Sequence, residues 1–242
     1  MPKGMVAAII AALLTSPAAA QVPPTDDTPQ LAQRGGARPP REAVRAASAL
    51  SEAAMTYIEI IELTLADRAS AVRLRLNSAR GELNRLRPMV SAETFSALEG
   101  RLADAEVAEN KGDLTGAALA AAEAFKVIVT TMPAQLRRTP LPVSLHTYSA
   151  FKLVLLASAA EIDWPAVGQA ARESEKSWIQ LRRLVRDTNL RVLLSEIQNG
   201  LREAVTRKDA AGVRFGAQLQ IASTAVLRDF FARFARAMGR GR

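Results

Sequence analysis

Cysteine is absent from this chain of 242 residues. That excludes disulfides, thiolate metal sites, cysteine nucleophiles, covalent c-type haem and a lipoprotein anchor. Histidine occurs once, as His146. A single histidine excludes zinc or copper sites built on several histidines, and the paired Glu-x-x-His ligands of di-iron bundles. Aromatic residues make up only 5% of the chain. Apolar residues nevertheless reach 49%, much of it alanine. Small apolar side chains with few β-branched or aromatic runs favour close-packed helices over sheets. There is no Gly-x-Gly-x-x-Gly, phosphate loop, His-Glu-x-x-His or Gly-x-Ser-x-Gly. A non-catalytic protein without a cofactor is therefore expected.

What the chain does have is positive charge, +8 overall, with arginine as the main contributor. Such a surface can meet nucleic acid, anionic lipid or an acidic protein, and the compartment decides which. Met1-Pro2-Lys3 is a short basic start, residues 4–14 are apolar, and Ala18-Ala19-Ala20 precedes Gln21. These are the three regions of a cleaved secretory signal, residues 1–20, with the cut after Ala20. The apolar run is shorter than the roughly 20 residues of a spanning helix. Alanine and arginine usage fits a bacterial origin, so the periplasm is the expected destination and nucleic acid is not the expected partner. No later stretch reads as a transmembrane helix, and the mature chain is expected to be soluble.

Residues 21–40, with Pro23-Pro24, Gly35-Gly36 and Pro39-Pro40, read as a disordered linker with little to bury. Helical periodicity then fills residues 41–132. Val44, Ala47, Leu50, Ala54, Tyr57, Ile58, Ile61 and Leu65 make the first stripe. Pro88 stops a second, arginine-rich helix, Ser91 starts a third, and Gly112-Asp113 turns the chain into an alanine-rich fourth. A second linker, residues 133–142, carries Pro133, Pro140 and Pro142. The plan then repeats over residues 143–236, before a basic tail at 237–242. Residues 143–160 are apolar nearly all round and should form the most buried helix. Asp163 with Pro165 is a strong helix start, Asp187 or Thr188 recaps, and Asp209 opens the last helix. Leu190, Leu193, Leu194, Ile197, Leu201 and Val205 form one stripe; Val213, Ala217, Ile221, Leu227, Phe230, Phe231 and Phe234 form another. Placing Asp67 on Asp163 also places Leu98 on Leu194 and Asp113 on Asp209. The fold class expected is all-α, an antiparallel up-and-down helical bundle, as two tandem four-helix units.

Ala108-Glu109-Asn110-Lys111-Gly112-Asp113, followed by Ala117 and Ala124, resembles the turn of a tetratricopeptide repeat. The resemblance covers one hairpin. Arg101 stands where that family opens its first helix with a large aromatic, and the 34-residue period does not recur. It implies an α-solenoid as the alternative fold.

Candidate contacts follow from rarity and spacing. Trp164 and Trp178 are the only tryptophans, close to the same helix face, and either fill the core or anchor a partner or apolar ligand. His146 with Met55 from a facing helix could ligate haem, the carrier reading in which a bundle holds haem, a metal ion or an apolar small molecule; a capping histidine is the plainer alternative. Tyr57 and Tyr148, each after a threonine, complete this set. Arg182, Arg183, Arg186 and Arg191 form a basic face toward an anionic partner, echoed by Arg73, Arg75, Arg80, Arg85 and Arg87. Carboxylates at Glu59, Glu62 and Asp67, and at Asp104, Glu106, Glu109 and Asp113, are too sparse for calcium and read as solvated ion pairs. The function expected is a periplasmic interaction or accessory module that meets a protein partner or an anionic envelope component.

Overall fold

The computed structural model describes residues 40–137 and 139–239, with side chains through 233. The expected signal segment, nearly all of the expected first linker, Arg138, and the side chains of Phe234 and the basic tail lie outside the described residues. Among those described there are helices and no strand: α1 Arg41–Leu65, α2 Ala69–Leu86, α3 Ala92–Asn110, α4 Leu114–Thr131, a 3-10 turn Ala134–Leu136, α5 Leu141–Leu156, α6 Trp164–Leu181, α7 Thr188–Thr206 and α8 Ala210–Gly239.

Capping chemistry sets the starts. The side chains of Ser91, Asp113, Asp163, Asp187 and Asp209 accept from the amides of Thr94, Gly116, Ala166, Leu190 and Gly212, at 3.2, 2.7, 3.0, 2.9 and 3.0 Å. Each such cap is worth about 1 kcal/mol. Asp67, matched with Asp163 by sequence, does something else. It takes φ 56° just past the end of α1, and Arg68, which precedes α2, gives no side-chain cap. Its amide donates to the Thr64 carbonyl and that of Arg68 to Leu63, a left-handed helix stop. The same stop recurs after α3, at Gly112 (φ 76°), and after α7, at Lys208 (φ 54°). There the next residue, Asp113 or Asp209, closes one helix through its amide and caps the next through its carboxylate.

The packing closes two rings. α1 packs on α2 and α4, α2 on α3, and α3 on α4. In the same way α5 packs on α6 and α8, α6 on α7, and α7 on α8. The contact of α1 with α4 makes an up-and-down bundle, in place of the open stack that a solenoid would need. α4 also packs on α5, and a continuous apolar cluster runs from Leu50 through both rings to Leu227. Alanine explains the closeness: Ala117, Ala118, Ala121, Ala122 and Ala124 of α4 are all buried. α5 is buried over most of its surface from Val143 through Leu155, with Ser144, Leu145 and Lys152 half-buried, because α4, α6 and α8 surround it.

Three sequence expectations need correction. α4 is long and apolar enough to cross a membrane by length and composition, although no such stretch was expected; here it serves as a core helix among α1, α3 and α5. Val44 and Leu65, at the two ends of α1, are 48% and 41% exposed. Leu193 is also exposed, because it sits about 100° around the helix from Leu194, off the buried stripe.

Candidate functional site

The second ring encloses a polar layer. His146 of α5 is fully buried, and its Nδ1 lies 3.1 Å from the Ser177 hydroxyl of α6. Ser177 gives its own proton to the Ser174 carbonyl at 2.7 Å. It therefore faces His146 with a lone pair, while the Gln220 amide, a donor, lies 3.1 Å from the same Nδ1. Gln220 of α8 donates to the His146 carbonyl at 2.8 Å and reaches Ser149 Oγ at 3.4 Å. Ser174 Oγ lies 3.1 Å from Gln220 Oε1 and accepts from Gln198 Nε2 of α7 at 3.2 Å. All four helices contribute. His146 Nε2 alone has no hydrogen-bond partner. Burial pushes the His146 pKa down to about 4, against the opposing pull of the Ser174 carbonyl, so the ring is neutral at ordinary pH.

Sequence reading did not single out Ser174, Gln198 or Gln220. A signal was present. Gln198 stands between Leu194 and Leu201 on the α7 stripe, Ser174 one turn before Trp178, and Gln220 one turn after Ala217. The interval that matches Asp113 with Asp209 places Leu102 and Ala124 opposite Gln198 and Gln220. Both are buried and apolar. The first ring thus fills with hydrocarbon what the second fills with amides.

The seam between α6 and α7 is the loosest of the second ring. At one end a small cleft of about 160 Å³ reaches Ser174 and Gln198, beside the Arg202–Glu175 ion pair at 2.8 Å. At the other end an open groove of about 550 Å³ is lined by Trp178, Arg182, Arg183, Thr188, Arg191, Val192, Ser195 and Glu196. Trp178 is itself buried, its ring centre 6.4 Å from that of His146. The groove therefore joins one predicted core tryptophan to three of the four arginines predicted for an anionic face. Arg186 is exposed on the same connection but does not line it.

The arginines of the two rings differ in their company. Arg73 pairs with Glu109 at 2.8 Å, Arg75 with Glu59 at 2.6 Å, and Arg80 with Glu106. Arg87 lies over the Phe95 ring. Glu59, Glu106 and Glu109 of the first half's acidic edges are thus engaged with its basic face, as ion pairs. Among the described residues no carboxylate pairs with Arg182, Arg183 or Arg191; Arg191 bonds only the Thr188 hydroxyl, at 3.3 Å. Three guanidinium groups and one opposing carboxylate, Glu196, leave the groove positive.

The remaining candidates lie elsewhere. Met55 is 49% exposed on α1, in the other ring, and does not face His146. Tyr57 is buried in the first ring, its pKa raised by burial and then by Glu82 and Glu106. Tyr148 is buried where α4 meets α5; its hydroxyl donates to Glu123 at 2.5 Å and accepts from Lys152 at 3.2 Å. Burial raises the Glu123 pKa, but the Tyr148 hydroxyl, Lys152 and Lys126 outweigh it and hold the carboxyl below its usual value. Trp164 is half-buried against the core at the start of α6. Comparison of the chain with protein-family models, curated proteins and solved structures gives no match.

Proposed function

We propose that this chain is an exported, non-catalytic interaction module of a bacterial periplasm, and that the α6–α7 groove receives an anionic partner. The observation that carries the reading is the contrast between paired and unpaired arginines. Arg73, Arg75 and Arg80 of the first ring are matched with carboxylates, as are Arg202 and Arg207 of the second, whereas Arg182, Arg183 and Arg191 gather around one groove without them. Guanidinium groups held beside each other suit phosphate or carboxylate, which they bind through forked hydrogen bonds. Export is supported by the three-part N-terminus. Mass measurement of protein from the periplasm should give a chain beginning at Gln21, and an intact N-terminus would refute export by cleavage.

The groove is tested by charge-matched comparison on immobilised phosphate. The triple variant Arg182→Gln, Arg183→Gln, Arg191→Gln should elute at clearly lower salt than Arg101→Gln, Lys111→Gln, Arg207→Gln, which removes equal charge from exposed sites. Equal elution would show that only net charge acts. The carrier reading has its own observation, the unpartnered His146 Nε2 inside a polar layer. It requires a co-purifying ligand in native mass spectrometry, or a haem band, that is lost in His146→Ala.

A further inference from the structure

The groove does not stand alone on its end of the ring. On the end of α6, the connection and the start of α7, the apolar side chains of Ile179, Leu184, Val192 and Leu193 are exposed, at 38, 39, 55 and 44%. Val192 lines the groove itself, and Ile179 follows Trp178 at its floor. Large apolar side chains left in water gather here with unpaired cations around one inter-helix connection. Scattered single apolar residues need no explanation, but a cluster rimmed by one sign of charge marks an interface. An anionic bilayer uses both, since phosphates take the guanidinium groups while short apolar side chains enter the boundary between headgroups and acyl chains. The acidic groups nearby do not cancel this field. Asp187 is engaged with the Leu190 amide, and Glu196 faces three cations.

We infer that the α6–α7 end of the second ring docks on an anionic lipid bilayer, with Arg182, Arg183 and Arg191 on lipid phosphates and Leu184 and Val192 in the headgroup boundary. This rests on the anionic-groove reading and names its partner. The geometry suits a peripheral attachment. The cations sit at the tip of a helical hairpin, and the helices behind it are fixed by the core through Leu181, Val185, Leu190 and Leu194. Trp178, buried behind the arginines, reports contact without being required for it.

The test uses the mature chain and vesicles of phosphatidylglycerol mixed with phosphatidylcholine, against phosphatidylcholine alone, in sedimentation at about 0.1 M salt. Binding is expected only with the anionic lipid. Arg182→Gln, Arg183→Gln, Arg191→Gln should weaken partition by roughly a hundredfold, from the known contribution of each surface cation. The Arg101→Gln, Lys111→Gln, Arg207→Gln control should weaken it far less. Leu184→Ser with Val192→Ser should weaken it several-fold while leaving retention on immobilised phosphate unchanged. In a Trp164→Phe background, Trp178 emission should shift on adding anionic vesicles and stay constant without them. Equal loss in the control, or no preference for anionic vesicles, would overturn the proposal. If vesicles fail but the groove variant still loses retention on immobilised phosphate, lipid is the wrong partner and the groove reading stands. If both fail, both readings fall. Release of vesicle-bound protein by polyglutamate, with no effect of Leu184→Ser and Val192→Ser, would assign the surface to an acidic protein instead.

Discussion

His146, the one histidine, makes the stability of this protein depend on pH below 6.5. The ring is neutral and buried, with its pKa lowered from 6.5 to about 4. The unfolded chain therefore binds a proton that the folded chain refuses. Stability from this group is fully present above pH 6.5, falls as pH drops toward 4, and then levels off. Linkage gives a loss of about 2 kcal/mol between pH 7.5 and pH 5, and about 3 kcal/mol by pH 4. For a chain of this size, 2 kcal/mol lowers Tm by roughly 4–8 °C. There is no second histidine to confuse it. The assay is urea unfolding followed by circular dichroism at pH 7.5, 6 and 5, on the native chain and on His146→Asn. Asparagine is polar but cannot titrate, so the variant should be less stable than the native chain at pH 7.5 and flat across the window. Parallel slopes for the two proteins would refute the reasoning. So would an imidazole proton resonance of the native chain that titrates near pH 6.5.

Three further outcomes follow from particular contacts. Lys208 holds a left-handed conformation that glycine holds at Gly112, so Lys208→Gly should raise stability by up to about 1 kcal/mol in denaturant titration. Gly216→Ala would place a Cβ 2.8 Å from Leu201 Cγ. It should cost about 1–3 kcal/mol although alanine is the better helix former, and a gain in midpoint would contradict the close α7–α8 approach. In the polar layer, Gln220→Ala should cost about 1–3 kcal/mol, because Gln220 bonds the His146 carbonyl, Ser149, Ser174 and Gln198, and should cost more than Gln198→Leu, which keeps the volume and loses only the bonds to Ser174 and Gln220; equal costs in calorimetry would count against the unequal roles assigned to the two amides.

Helix starts were readable because caps are local chemistry. Ser91, Asp113, Asp163, Asp187 and Asp209 were all expected from neighbours within a turn, and all accept the amide three residues on. Asp67 misled because its role depends on the end of α1, where a left-handed residue stops the helix, and aspartate tolerates that conformation. The arginines of the groove were visible as a list, but the groove was not. Its width is set by how loosely α6 meets α7, which is a property of the closed ring and of no single window. The polar layer was harder still. Serine and glutamine on a helix read as solvent-facing, and only their registration with Trp178, Leu194, Leu201 and Ala217 places them inside. Met55 shows the converse limit: a methionine in an apolar window was a plausible ligand until the ring closed with it outside.

The double-duty aspartates have a consequence for how the molecule assembles. Asp113 and Asp209 each belong to two helices at once, so α3–α4 and α7–α8 are hairpins without a spare residue between their arms. Contacts within them are short in sequence and close little chain entropy, which favours their early formation. The α5–α6 and α6–α7 connections span several residues and lack that economy. A chain emerging in order would thus complete each ring on a hairpin that is already formed. An added residue would be absorbed at the α6–α7 tip, beside the proposed lipid contact, far more readily than at either aspartate.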